Sequence, residues 1–202
     1  ELGQLAVYHD AFLAVKAGNV LALGPMSEAK QYQGATTQVI DATGQAVLPG
    51  FVDPHTHLVF AGWREHELAM KLAGKPYLEI LAAGYGILST VRATREASVT
   101  ELAALAKRTL DRMLLHGTTT VEAKSGYGLT TESELRQLQA AKIAAAAHPV
   151  NVVSTFLGAH AIPPEYKQAP EAFVDLIIEE MLPAVAAEDL AVFCDVFCEE
   201  GV

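Results

Sequence analysis

Two rhythms of apolar and polar positions divide this chain of 202 residues. As far as Leu48, apolar residues come in short runs between turn formers; beyond Gly50, strand-length runs alternate with stretches of helical period. In the first part, residues 11–15 and 20–23 flank Lys16-Ala17-Gly18-Asn19, which predicts a hairpin closed by Gly-Asn turn chemistry. Val39-Ile40-Asp41 and residues 45–48 continue the β character, and Pro49-Gly50 punctuates it.

In the second part, Ser98-x-x-Glu101 has the form of a capping box. Leu102, Leu105, Thr109 and Met113 follow it along one helical stripe, and Gly117 is the stop. Residues 118–122 are β-rich. Thr131-x-x-Glu134 predicts a second capped helix running towards Ala147, with Leu135, Leu138 and Ile143 as its main large apolar residues. Residues 150–157 read as the next strand, 171–181 as a helix that Pro183 bends or ends, and 191–198 as a further strand. Alternating strands and helices imply parallel strands with helical crossovers. An open Rossmann-like sheet and a TIM-type barrel both fit that rhythm. No GxGxxG follows a strand, which removes support from the nucleotide-binding version. There is no repeat and no low-complexity segment.

Composition narrows the function classes. A hydrophobic content of 51% is enough for a substantial core and argues against disorder. The formal charge of −10 argues against nucleic acid or an acidic membrane surface as partner, but leaves room for a local anion site. No run approaches the roughly 18 apolar residues of a membrane span. The opening Glu1-Leu2-Gly3-Gln4 has neither the basic flank nor the apolar run of a signal peptide, so a cytoplasmic location is expected. It also lacks an initiator Met, and the natural start is expected further upstream. The cysteines, Cys194 and Cys198, share one face of the strand 191–198 and are predicted to be reduced, buried thiols.

The chemistry-bearing stretch is Val47-Leu48-Pro49-Gly50-Phe51-Val52-Asp53-Pro54-His55-Thr56-His57. Side chains two apart on a strand point to the same side, so His55 and His57 can converge on one ion. Neutral imidazoles suit zinc or iron. A bare HxH is equally two histidines held by hydrogen bonds in or near a core. The surrounding order, from Asp41 through Leu48-Pro49-Gly50-Phe51-Val52-Asp53 to the histidine pair, resembles the signature of the amidohydrolase superfamily. Four later segments resemble the imidazolonepropionase family within it. They are His57 to Glu65, Gly84 to Arg95, Gly117 to Leu129, and Thr155 to Pro163. The resemblance runs nearly the whole chain; Gly84-Tyr85-Gly86 departs from it slightly, where a run of glycines is more usual.

That resemblance implies a metal-dependent hydrolase barrel of the TIM-type (β/α)8 kind, about the first half of it in residues 48–202. Residues 1–47 would belong to a small β-sandwich-like domain. It implies one divalent metal ion, zinc or iron, with His55 and His57 as metal ligands. Arg64, Tyr127 and His160 are implied substrate contacts. Arg64 offers a planar fork for a carboxylate. Tyr127 lies between Gly126 and Gly128, whose backbone freedom could present its hydroxyl. His160, near the end of a strand, could donate to a ring carbonyl or developing oxyanion. A surface arginine, a turn tyrosine and a structural histidine are the plainer alternatives for the three. Lys124 is left structural, because this family is mononuclear; Glu122 is a group that could orient its neighbours.

The implied reaction is hydrolysis of 4-imidazolone-5-propanoate to N-formimidoyl-L-glutamate in histidine degradation. A small-molecule substrate and a homodimer are the implied partners. No catalytic acid–base is assigned, and that residue and the remaining metal ligands are expected beyond residue 202. With only about four strand–helix units after Gly50, the 202 residues are expected to be incomplete and inactive alone. A sibling amidohydrolase or deaminase acting on another cyclic amide or amidine, and a non-catalytic fragment, are the rival readings.

Overall fold

The computed structural model describes residues 6–199, and the chain divides into two compact units at the junction of Leu48 and Pro49. In the first unit, β1 (Ala11–Lys16) and β2 (Asn19–Pro25) form an antiparallel ribbon with Lys16 opposite Asn19. The two residues between them, Ala17 and Gly18, have φ of 51° and 78°. Consecutive positive φ values suit a two-residue turn whose twist matches the strands. The loop is therefore Ala17-Gly18 and not Gly18-Asn19. Asn19 joins the ladder instead, and its side-chain amide donates to the Ala17 carbonyl at 3.1 Å. The β character expected at Val39-Ile40-Asp41 and residues 45–48 is not realised as strand. Asp41 Oδ1 accepts both the N–H of Thr43 (2.9 Å) and its hydroxyl (2.6 Å), and the Gln45 N–H turns back to Ala42. These local bonds take up groups that a ladder would need.

The second unit is built on β3 (Phe51–Thr56). Four helices follow it: α1 (Leu68–Leu72), α2 (Tyr77–Ala82), α3 (Ile87–Glu96) and α4 (Val99–Leu115). Then come β4 (Thr118–Lys124), α5 (Thr131–Ala146), β5 (Asn151–Ala159), α6 (Pro170–Leu176), α7 (Leu182–Ala187) and β6 (Phe193–Val196). The four strands lie in one parallel sheet in chain order, β3-β4-β5-β6. A doubly wound sheet reverses its strand order at a switch point. Among the described residues there is no reversal, and the architecture fits a partial TIM-type fold.

Ser98 caps α4 as its spacing predicts. Its hydroxyl accepts the Glu101 N–H at 3.2 Å, and Glu101 accepts the Ser98 N–H at 2.9 Å. The buried stripe of α4, however, is Leu102, Ala103, Ala106 and Leu110; Leu105, Thr109 and Met113 are only half-buried. Ala103 and Ala106 cluster with Ala140, Ala141 and Ala144 of α5 and with Val121 and Ala123 of β4. Small residues let the two helices approach closely, and this contact selects the face. On α5 the cap is Thr130, whose side chain accepts the Ser133 N–H, and not Thr131. Leu138 is buried against Phe156, Phe173, Ile177 and Met181, Leu135 is half-buried, and Ile143 is 51% exposed.

Pro183 does not end its helix. A π-helical turn, Ile177–Met181, joins α6 to α7, and Pro183 sits in the first turn of α7. The wider turn eases the clash between a proline ring and the carbonyl one turn earlier. β6 is shorter than the predicted 191–198, and Cys194 and Cys198 are free but exposed, not buried. Among the described residues β3 and β6 are the edge strands, with Phe51, Val52, Phe193 and Val196 all exposed on them.

Leu110→Ala should cost about 2–5 kcal/mol, because a fully buried leucine leaves a cavity between α4 and its neighbours. Ile143→Ala, on the open face of α5, should change stability by no more than about 0.5 kcal/mol. Urea denaturation of the two variants checks the burial pattern, and equal losses would contradict it.

Candidate functional site

Parallel strands joined by helices bring their C-terminal ends to one edge, and the loops leaving that edge carry the site residues of such folds. His57 is the first residue after β3, Ser125-Gly126-Tyr127-Gly128 follows β4, His160 follows β5 and Phe197 follows β6. Their rings meet. His57 stacks on His160 with centroids 4.5 Å apart, and Tyr127 lies 4.6 Å from His57 and 5.3 Å from His160. Phe60 backs Tyr127 at 5.8 Å, and Phe197 meets His160 edge-on at 6.1 Å. The close approach depends on Gly126, with φ of 104°. A Cβ there would sit 2.7 Å from the Leu157 carbonyl oxygen and 2.8 Å from His160 Cβ.

Burial, then the adjacent His160, push His57 down to about 4, against a hydrogen bond to the Ser125 backbone that raises it. The ring is neutral at pH 7. Its Nδ1 is buried and has no hydrogen-bond partner, so the Ser125 bond is made by the other nitrogen. An unpartnered buried polar atom costs about 1–3 kcal/mol, and this one offers a lone pair to a cation. His55 is exposed on β3, two residues before His57. Among the described residues no group of three or more His, Cys, Asp and Glu side chains is arranged to hold a metal ion.

His160 Nδ1 lies 2.8 Å from the Gly126 carbonyl oxygen, which can only accept. Nδ1 therefore carries the proton, and burial favours the neutral ring. Its Nε2 is then an acceptor, the reverse of the donor expected from sequence. Arg64 lies apart from the ring cluster in its contacts: Nε is 3.7 Å from Glu67 Oε2, and the side chain is about one-third exposed. Glu67 is fully buried, accepts the Gly86 N–H at 2.7 Å through Oε1, and also faces Lys71 at 3.9 Å. The structure thus brings His57, Tyr127 and His160 together and gives Arg64 a different neighbour.

Several groups at this edge escaped the sequence reading. Lys124 is buried, and its Nζ reaches Asp195 at 2.6 Å and Glu122 at 3.1 Å, linking β4 to β6. Glu122 Oε1 also accepts the Thr155 hydroxyl at 2.7 Å, the orienting part expected of it. Asp195, alone between apolar residues of a strand, was the visible sign of this pairing. Glu134 was read only as part of a capping box, and Gln137 was not singled out. Both are buried and hold the loop after β4.

A family profile described as "Amidohydrolase family" matches residues 38–75, the stretch that includes both His55 and His57. Curated relatives match the whole chain. Imidazolonepropionase from Alkaliphilus metalliredigens (strain QYMF) is 55% identical over 203 residues, covering 100% of this chain and 48% of the relative. Proteins of the same name from Alkaliphilus oremlandii (strain OhILAs) and Shouchella clausii (strain KSM-K16) are each 54% identical, covering 100% of this chain and 48% and 46% of their own lengths. The chain spans about half the length of the curated relatives it matches, and it corresponds to their N-terminal half. No helix among the described residues is long and apolar enough to cross a membrane.

The Lys124 hydrogen bond holds Asp195 below its ordinary 3.8. Burial lowers Lys124, but its bonds to Asp195 and Glu122 outweigh that and raise it above 10.5. A depressed carboxyl stabilises the fold above its unfolded value and loses that contribution as pH falls through its folded value; the raised lysine loses its own on the alkaline side. As pH falls below about 4 the parent should therefore lose stability more steeply than Asp195→Asn. Parallel stability–pH curves in urea titrations would remove the ion pair from the account.

Proposed function

We propose that this homologue of the N-terminal half of the imidazolonepropionases forms the first part of a metal-dependent hydrolase. Its reaction is the opening of the imidazolone ring of 4-imidazolone-5-propanoate to N-formimidoyl-L-glutamate. The observation that carries the reading is the meeting of His57, Tyr127 and His160, from three successive strand ends. Residues 48–202 are then the first half of a (β/α)8 barrel, and residues 1–47 part of a small β domain.

In this reading His55 and His57 hold one divalent ion, zinc or iron, which when bound polarises a carbonyl and acidifies water. His57 is suited to this by its neutral ring and by the free lone pair on Nδ1. The rings of Tyr127 and His160 form the wall on which a planar heterocycle rests. His160 Nε2, an acceptor in the tautomer that Gly126 imposes, takes a hydrogen bond from a ring N–H of the substrate. Arg64 receives the propionate. Its contact with Glu67, 3.7 Å from Nε, is longer than a hydrogen bond, and the planar guanidinium suits a carboxylate.

The double variant His55→Ala/His57→Ala should lose the bound ion. Elemental analysis of parent and variant after identical purification decides this, and full occupancy in the variant would remove both residues from the ligand set.

Arg64→Lys keeps the charge but loses the fork, worth about 1–3 kcal/mol for a charge-assisted bond. In the full-length protein containing this chain, hydrolysis of imidazolonepropionate should fall about 10- to 100-fold in kcat/KM with the melting temperature little changed. Unaltered kcat/KM would show that the propionate binds elsewhere.

A further inference from the structure

Four consecutive backbone N–H groups at the site are captured by two side chains from one helix. Glu134 Oε2 accepts Gly126 N–H at 3.0 Å, and Glu134 Oε1 accepts those of Gly128 and Leu129, each at 2.8 Å. Gln137 Oε1 takes the remaining one, from Tyr127, at 3.0 Å. Residues three apart on a helix share a face, so α5 presents both acceptors to the loop together. Gln137 Nε2 meanwhile donates to the Val59 carbonyl at 2.6 Å, which ties down the segment just beyond His57. Glu134 and Gln137 are 0% and 1% exposed.

The carboxylate of Glu134 forms no ion pair among the described residues; besides these amides, Ser125 donates to it. Burial pushes the Glu134 carboxyl above its ordinary 4.5, and the hydrogen bonds from Ser125 and the three amides work against that by favouring the charged form. An ionised carboxylate is, however, the side chain that can accept at several positions and never presents a competing donor. Its place in the first turn of α5 puts its charge at the favourable end of the helix dipole. The loop is shaped to fit it. A Cβ at Gly128 would lie 2.5 Å from the Glu134 nitrogen and 2.9 Å from its Oε1.

From this geometry we infer that Glu134, assisted by Gln137, is the positioning residue of the site. It fixes the backbone of residues 126–129 so that the Tyr127 ring is held against His57 and His160. The step from positioned ring to turnover rests on the proposed function, in which Tyr127 contacts the substrate; the positioning itself does not.

Glu134→Gln is nearly isosteric but turns one acceptor oxygen into an N–H donor facing N–H donors. In the otherwise unaltered protein, amide hydrogen exchange at Gly126, Gly128 and Leu129 should quicken at least about 10-fold, with Val121 and Phe156 in the sheet unchanged. The ring resonances of His57 and His160 should shift together as Tyr127 moves. Hydrolysis of imidazolonepropionate should fall about 10- to 100-fold in kcat/KM, and adding Tyr127→Phe should cost little more, because both changes remove one contact. Gln137→Met, which frees the Tyr127 N–H and the Val59 carbonyl but leaves the three amide bonds to Glu134, is the companion variant if Glu134→Gln does not fold. It should quicken exchange at Tyr127 and move the same histidine signals. Selective loop exchange with shifted histidine signals, in a full-length parent containing this chain that hydrolyses nothing, would uphold the positioning role and overturn the enzyme reading. Wild-type protection of residues 126–129 and unmoved histidine signals in a folded variant would overturn the positioning role. So would protection lost equally at Val121 and Phe156 in both variants.

Discussion

Where a parallel strand ends, its backbone groups lose the neighbours that satisfied them, and a buried N–H left unpaired costs more than a hydrogen bond gains. At the end of β4 this constraint is met by side chains of α5. Glu134 and Gln137 take up the N–H groups of residues 126 to 129, and the chain can turn sharply inside the protein without water. The meeting of the three rings depends on that turn. A glycine at 126 lets the loop pass against Leu157 and His160, and its carbonyl in turn sets which nitrogen of His160 is protonated.

The same edge separates its charges carefully. His57 and His160 are kept neutral by burial, while the cation of Lys124 is engaged by Glu122 and Asp195 and ties β4 to β6. Of this pairing only Lys124 is buried, so removing its carboxylate partners leaves an uncompensated buried charge. The effect of the pairing is to fix the spacing of strand ends. Arg64 is held from another direction, by a buried glutamate that also anchors the loop at Gly86.

Packing explains the rest of the arrangement. α5 stands between two apolar clusters, with its alanines against α4 and Leu138 against β5 and α6. A helix gripped on both sides is a firm mount for acceptors that must hold a loop within tenths of an ångström. The edge strands β3 and β6, by contrast, carry exposed apolar side chains, so the rigid part of the second unit is its middle.

The sequence by itself determined whatever is decided within one turn or one strand. The Ser98 capping box, the hairpin near Gly18, the strand and helix alternation and the same-strand pair His55 and His57 are all local patterns, and local physics is enough to read them. The signature around that pair also carried the resemblance to the amidohydrolases. Tertiary structure decided where local signals were ambiguous. Thr130 and Thr131 are both good caps, and the demand of the loop for Glu134 chose between them. The buried face of α4 was set by the alanines of α5, residues that carry little hydrophobic signal of their own. Pro183 could remain helical because the preceding turn widened. Cys194 and Cys198 are exposed because β6 is an edge strand among the described residues. Tyr127 and His160 were named from sequence, but their contact with His57 is a product of parallel strand pairing between distant segments, and no pattern of near neighbours encodes it.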